Sequence, residues 1–528
     1  MKRCPECRRD YYDDSLLYCL DDGSALLEGP ASNSSPSDEP ATAIMSATPF
    51  AEASATKRTV SPEASSKSIA VLPFAHLSSH SDDEFFCDGL AEELLNALSR
   101  VDGLKVAART SSFFYKGKEV NLGEIGRALG IANVLEGSIR KSGDRLRITV
   151  QLISTSDGYH LWSERYDRKM KDIFDVQDEI TLAVVEALKV KLLGDQQANV
   201  LKRYTDNTEA YELYLKGRYC FNKYTPEYFQ KGIGYFEKAI EIEPEYAPAY
   251  ASIGFCYGAL FYFGSVDPHE IIPRWKGVVN RALEIDDALA DAYLSLASIH
   301  CFFDRDFPQA ERDYRNAIAL NPKNPDAHWR YGHFLSALGR FDEAIVEGET
   351  AVDLDPLSLV VRFFMARILG VADRVDDAIE QVRNMIEMDP GLPGAHMVYG
   401  GLLMTKGMHE EAVAEYNISL DLGGFTGAVL SYLGAGYGAM GKRIEAHAVL
   451  DQLFEKRKEH YVMASAIARV YAGLGENDKA FEWFEKAIEE RNGEMVFLKV
   501  ETMAGLFGKS IGSDPRFHDI LRSIGLSE

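Results

Sequence analysis

The sequence has no run of eighteen apolar residues, so no segment can cross a bilayer as a helix. It is short of positive charge: 57 lysines and arginines stand against 81 aspartates and glutamates, a formal net charge of -24. That balance argues against non-specific binding to nucleic acid or anionic membrane, both of which reward basic surfaces. The opening MKRCPECRRD has no apolar core segment, so no secretory signal is expected. Cysteine is scarce, seven in 528 residues. Cys87, Cys220, Cys256 and Cys301 fall in stretches that read as helical, where thiols act as small buried hydrophobes in a reducing compartment. The G-x-S-x-G, H-E-x-x-H and kinase signatures are missing, and the histidines have no metal-ligand spacing. These absences point to a cytoplasmic chain that is not an enzyme. What is present, 46% hydrophobic and 26% charged residues over a length too great for one core, reads as several globular domains.

From about Asn324 to Asn492 one alanine returns at a fixed interval. Ala344, Ala378, Ala412, Ala446 and Ala480 lie 34 residues apart, and the position twelve earlier is always small: Gly332, Ala366, Gly400, Gly434, Ala468. Gly339, Gly407, Gly441 and Gly475 fill a third register, where a helix has to end in a tight turn. Bulky side chains follow the alanine by four (Tyr416, Leu450, Phe484), and Pro356 and Pro390 close two units. A 34-residue period with two small positions is the signature of stacked helix-turn-helix units. The stretch closely resembles the tetratricopeptide repeat.

Earlier units are legible too. Thr208 to Pro244 keeps Phe236, Ala239 and Pro244. Glu245 to Asp287 is several residues too long, with the excess near Phe261 to Pro273, expected as a loop on a binding face. Ala288 to Pro322 has one extra residue near Asp304. About eight repeats, 208–492, are therefore expected, with a capping segment over 493–528 that includes a short helix at Asp514-Pro-Arg-Phe-His-Asp-Ile-Leu-Arg. The resemblance implies an all-α superhelix whose concave groove, lined by each unit's first helix, takes a protein or peptide partner. Trp329, His333, Phe363, Arg367, Met397 and Met404 are the groove candidates, with packing between repeats as the alternative role. Gly436-Tyr-Gly438-Ala-Met-Gly441 satisfies a dinucleotide motif but lies in a repeat's first helix after no strand. Gly508-Lys509-Ser510 lacks the first glycine of a phosphate loop, Met503 standing there.

Residues 68–195 read as an α/β domain, a mixed sheet with helices. Ser68 to Phe74 suits a buried strand, and a helix begins near Asp88. Leu104 to Ala108 can return as a strand and Leu122 to Leu129 as a helix. Two strands flank the turn Ser142-Gly143-Asp144, a further strand lies near His160 to Tyr166, and a helix covers Ile173 to Leu193. From Arg145 to Leu152 apolar and polar residues alternate, so one face is wet and the other dry. SIAVLPF, CDGLAEELLNALSRV, ARTSSFFYKGK, LGIANVLEGSIRKSGDRLRITVQLIS and HLWSERYDRKMKDIFDVQDEI resemble the TolB-like N-terminal domain, related to the FlgO fold. In bacterial sensory proteins that domain commonly precedes tetratricopeptide repeats and follows a catalytic or DNA-binding part. Asp88, Glu92, Arg109, Glu136, His160, Glu164, Arg165 and Asp167 are its polar candidates, and pairing or capping is the stronger reading for them.

Residues 1–29 carry C-x2-C, eleven residues, then Cys19-Leu-Asp-Asp22-Gly23. Two knuckles offering ligands to one ion let a short segment fold without a core. Cys4, Cys7 and Cys19 are thiolate candidates for a structural zinc, and Asp22 stands where a fourth cysteine is usual. The segment resembles a bacterial zinc ribbon with that one departure; the alternative is three thiols on an unstructured leader. Residues 30–67, rich in Ser, Ala, Pro and Thr, read as a disordered tether. Overall the sequence predicts a multidomain scaffold or adaptor for protein partners. The alternative is a regulatory subunit whose α/β domain senses an effector. Metal analysis of the purified chain is expected to return about one zinc, lost in Cys4→Ser; a zinc-free protein removes the knuckle.

Overall fold

The computed structural model describes residues 2–3, 10–11, 27–28, 66–77, 84–192, 196–262, 264, 266–423, 426–507 and 509–526. Its chain divides into two units, Met1–Pro62 and Glu63–Glu528. In the first, strands β1 (Lys2–Arg3), β2 (Asp10–Tyr11) and β3 (Leu27–Glu28) pair antiparallel in the order β2-β1-β3. Cys4, Cys7, Cys19 and Asp22 lie outside the described residues. No helix among the described residues is long and apolar enough to cross a membrane.

The second unit opens with the mixed sheet. Strands β4 (Ser68–Val71), β5 (Ala75–His76), β6 (Lys105–Val106), β7 (Asn133–Ser142), β8 (Arg145–Ser154) and β9 (His160–Lys169) run in the order β6-β4-β7-β8-β9, with β5 also on β7. β4 is parallel to β6 and β7, and β7, β8 and β9 are antiparallel. Gly143, at φ +58°, makes the tight β7–β8 turn. The alternation along β8 holds: Leu146, Ile148, Val150 and Leu152 are buried while Arg145 and Arg147 face water. Helices α1 (Glu84–Ser99) and α4 (Ile173–Ala187) bury that apolar face. Helix α2 (Arg109–Phe113) packs Phe113 against the main core, and α3 (Leu122–Leu129) closes a smaller cluster on the other face around Ala70, Ile125 and Val134. Helix α5 (Gln196–Val200) leads to the repeats.

Eight helix pairs follow among the described residues. They are α6 (Thr208–Phe221) with α7 (Pro226–Ile242), α8 (Ala247–Tyr262) with α9 (Pro268–Ile285), and α10 (Ala290–Ile299) with α11 (Phe307–Leu320). Then come α12 (Pro325–Ala337) with α13 (Phe341–Leu354), α14 (Leu359–Val371) with α15 (Val375–Met388), and α16 (Pro393–Thr405) with α17 (His409–Asp421). The last are α18 (Thr426–Ala439) with α19 (Arg443–Glu459) and α20 (Ala464–Gly473) with α21 (Asn477–Glu489). All five register alanines are fully buried. The small positions twelve earlier are where the paired helices touch: a Cβ on Gly332 would stand 2.9 Å from the Ala344 carbonyl, and one on Gly400 would stand 2.5 Å from the Tyr416 ring. Gly339, Gly407, Gly441 and Gly475 take φ between +71° and +75°, and Arg305 and Asp373 take the same left-handed turn in units without that glycine.

A second device recurs with the same period. His328, Arg362 and His396 each bond back to the carbonyl of Pro322, Pro356 and Pro390, at 3.0, 2.7 and 3.3 Å. Each also reaches across to the second helix, onto Glu347, Gln381 and Glu415 at 2.6, 2.8 and 2.7 Å. One long polar side chain thus ties the entering loop to both helices of its unit.

Two length anomalies are absorbed differently from one another. The extra residue near Asp304 becomes a π-helical turn, His300–Asp304, which fits one more residue without breaking the helix. The surplus of the second unit does not form the expected binding loop. It lengthens α8 and α9, and α9 carries Pro273 past its first turn, where the ring removes the hydrogen bond an N–H would make to the His269 carbonyl. The lengthened pair reaches the far end of the array: a Cβ on Gly264 would lie 3.1 Å from Met463, and His269 Nε2 is 3.0 Å from the Glu489 carbonyl. The superhelix therefore closes on itself after one turn.

Substitutions at neighbouring glycines of α16 test this packing. Gly400→Val should lower unfolding free energy by about 3 kcal/mol, because the Tyr416 ring has no room to retreat. Gly401→Ala, whose added Cβ meets nothing nearer than 4.0 Å, should gain up to about 1 kcal/mol. Urea melts giving equal shifts would refute the close-approach account.

Candidate partner-binding groove and the domain junction

The first helices α10, α12, α14, α16, α18 and α20 line the interior, and the chain's own continuation runs through it. After α21 come a 3-10 turn, Gly493–Phe497, and α22 (Leu498–Met503), which pack against α12, α14 and the π-turn. Met495, Val496, Phe497, Leu498 and Val500 are each no more than 4% exposed. Phe497 lies 4.2 Å from the His333 ring, nearly parallel to it, and 6.3 Å from Phe302. The chain then leaves the groove through α23 (Lys509–Gly512) and ends on α24 (Pro515–Ser523), which packs against α21.

Charge holds this segment as well. Arg469, 1% exposed, donates to Glu501 at 3.0 Å and to Ser431 at 3.0 Å, and stands 3.5 Å from Glu494. Arg367 reaches the other Glu501 oxygen at 3.3 Å. Burial raises the Glu501 carboxyl above its ordinary value despite the two arginines. The Arg469 guanidinium also lies over the Tyr432 and Phe507 rings, 4.2 and 4.7 Å from their centres.

The groove candidates pack within the array, the alternative role the sequence left open for them, and do not line an open trough. Trp329, 5% exposed, stacks on Phe364 at 3.9 Å and donates its indole N–H to Asp326. His333 is buried under Phe497; burial, with Arg367 and Arg330 nearby, holds its pKa well below the ordinary value. Arg367 is taken by Glu501. Phe363, half-buried, meets Phe364 edge-on. Met397 is buried, and Met404 is half-buried with its sulfur 3.4 Å from His409 Nδ1. The period revealed the groove but not its occupant, because residues 493–507 do not repeat. One signal was available: Arg469 falls in the 34-residue register of His333 and Arg367.

The polar candidates of the α/β domain fall into two groups. Asp88, Glu92 and Arg109 come together at the junction with the repeats. Glu92, 4% exposed, accepts from Arg109 at 2.7 Å, from Arg218 of α6 at 3.0 Å and from Asn222 at 3.3 Å. Burial opposes its ionisation, yet the two arginines hold its pKa at about 2. Asp88 pairs with Lys116 at 2.6 Å, but burial still raises its pKa. Glu136 lies on the central strand β7, and His160, Glu164, Arg165 and Asp167 lie on the edge strand β9, where Asp167 bridges Arg147 at 2.6 Å and Arg165 at 3.4 Å. Tyr166 is buried and Trp162 packs against the core. A second weld forms at the α13–α14 turn. Asp355 accepts from the Ser111 N–H at 3.0 Å and hydroxyl at 2.5 Å, while Ser111 Oγ accepts from Leu357 N. Burial pushes the Asp355 carboxyl up to about 6.

Comparison with known proteins agrees with this division. Residues 65–183 match the family model of the HilA/YgeH-like transcriptional regulator, second domain. Residues 304–360 and 433–494 match tetratricopeptide repeat models, so the helix pairs are tetratricopeptide repeats. The chain is 35% identical over 277 residues to putative adenylate cyclase 3 of Rhizobium meliloti (strain 1021), covering 52% of this chain and 41% of that protein. It is 22% identical over 370 residues to transcriptional regulator HilA of Salmonella typhimurium, covering 66% and 62%. It thus spans less than two thirds of the length of either relative. Among solved structures, Pseudomonas aeruginosa pilF aligns at 24% identity with a TM-score of 0.30, covering 40% of this chain and 91% of that one. The Cut9–Hcn1 assembly aligns at 14% identity and 0.40, covering 80% and 72%.

Glu92 gives the junction a pH signature. Its folded pKa lies below the ordinary 4.5, so its contribution is complete above that value and is lost as pH falls toward 2. The difference corresponds to about 3 kcal/mol, and Glu92→Gln should lose a similar amount at pH 7 while flattening the acid limb of the stability curve. An unchanged acid midpoint in the variant would refute the role.

Proposed function

We propose that this chain is a non-catalytic scaffold or adaptor of bacterial signalling or regulation, holding a protein partner on its tetratricopeptide array. The observation that carries the reading is the use made of the polar side chains: Glu92, Arg109, Arg218, Arg367, Arg469 and Glu501 pair with one another and join parts of the fold. A partner that enters the groove at Arg367, His333 and Met397 has to displace residues 493–507 and match their contacts. The buried Cys87, Cys220, Cys256 and Cys301 suit a reducing, cytoplasmic setting. We read residues 68–195 as TolB-like and FlgO-related, and residues 1–29 as a structural zinc knuckle on Cys4, Cys7, Cys19 and Asp22.

A second reading has its own support. Both relatives carry names of signalling proteins, one a transcriptional regulator and one a putative cyclase. A regulatory subunit whose α/β domain binds an effector fits that company. Full-length protein separates the two readings. Under the scaffold reading, the immobilised chain retains a defined protein at fixed stoichiometry, and nucleotides and sugars leave its melting temperature unchanged. A saturable ligand-induced rise in melting temperature without a protein partner would pass the lead to the effector reading. Glu494→Arg with Glu501→Arg, which loosens the resident segment, should increase capture of a groove-binding partner.

A further inference from the structure

A hollow of about 620 Å³ lies on the side of the array away from the groove, between the second helices α11 and α13. Its floor is Tyr331 and Leu335 of α12, both buried, and its walls are Ile318 and Ala319 on one helix and Val346 on the other. This volume suits an anchoring group of a ligand or partner.

The walls break the chain's own pattern. At the register of Ala319 the five following units carry Asp353, Glu387, Asp421, Glu455 and Glu489. At the register of Val346 they carry Glu380, Ala414, Ala448 and Glu482. Five carboxylates in five units mark a solvated position, and here it is an alanine. Val346 is 60% exposed, a branched apolar side chain held in water where the following units carry glutamate or alanine and the preceding one carries Arg312. Alanine at 319 suits the end of its helix, but valine at 346 lowers helix propensity without entering the core; with Ile318 the two leave one continuous apolar strip at the rim, which contact with a partner covers.

The α13 side of the rim is acidic. Asp342 and Glu343 occupy the first turn of that helix. Glu343 is paired with Arg340 at 2.6 Å, whereas Asp342 is exposed and has no partner among the described residues. Arg315, across the hollow, is engaged by Glu311 at 2.7 Å and donates to the Tyr331 hydroxyl at 3.1 Å, so it does not pair with Asp342.

We propose that this hollow docks a segment of another protein that presents a short apolar ridge with a lysine or arginine beside it. The ridge seats between Ala319 and Val346, and the cation meets Asp342. This surface is separate from the groove and is tested separately from the reading above.

The experiment uses the full chain and a fluorescein-labelled peptide of leucine and lysine in helical alternation, followed by anisotropy. The parent should bind in the micromolar range, and Ala319→Glu with Val346→Glu should weaken binding at least tenfold. Intact units already carry glutamate in both registers, so the variant should melt as the parent does. Ile444→Glu, at a side chain 84% exposed on another unit, should leave binding unchanged. Hydrogen exchange should slow on peptide addition over 315–319 and 342–347. Several results overturn the proposal: no binding by the parent, a loss under twofold in the double variant, an equal loss in Ile444→Glu, or equal binding of a peptide with glutamate in place of lysine. A chain that sediments as a dimer until the double substitution is made would give the hollow to a second copy and likewise overturn it.

Discussion

Two helices can approach closely only where the side chains between them are short, and that constraint underlies the fold. Ala344 and its counterparts, facing Gly332 and its counterparts, let each pair interlock, and the buried Tyr416, Leu450 and Phe484 fill the space one turn along. The left-handed turn that follows each first helix sets the pair's angle, whether glycine, Asp373 or Arg305 occupies it. Because every unit repeats the same geometry, small rotations accumulate with one sign, and curvature follows without any residue specifying it.

Accumulated curvature brings together residues that no local pattern relates. The lengthened second unit meets the last one at Gly264 and Met463, and the enclosed interior is filled by Met495 to Glu501. Five buried apolar side chains at about 1.5–3 kcal/mol each outweigh the cost of burying Glu501, which Arg367 and Arg469 reduce further. The sheet domain is welded on by Glu92 at one end and by Ser111 and Asp355 at another, so the second unit is compact from the sheet to the cap.

Much of this was readable in advance where a rule of period or turn chemistry applied. The alternation of β8, the helix Leu122–Leu129, the turn at Gly143 and the repeat registers all follow from residue pattern alone. The extra residue at Asp304 was countable, although its form as a π-turn was not. The groove candidates lie on first helices, and the sequence left open whether they face a partner or pack between repeats. His333 and Arg367 look like ligand-facing residues in a repeat, and only the path of residues 493–507 makes them core. Arg218 and Arg469 went unnoticed because each acts on a partner far along the chain, Glu92 and Glu501.

By itself the sequence determined the kind of unit, its length, its small contact positions and the order of sheet and array. Those depend on contacts within one period of the chain, and such contacts leave a periodic trace. Tertiary structure alone decided that the array closes after one turn, that its interior holds the chain's own segment and that the sheet domain is locked across several units. Closure, filling and locking are sums over many small rotations and meetings of distant residues, and neither writes a pattern into neighbouring positions.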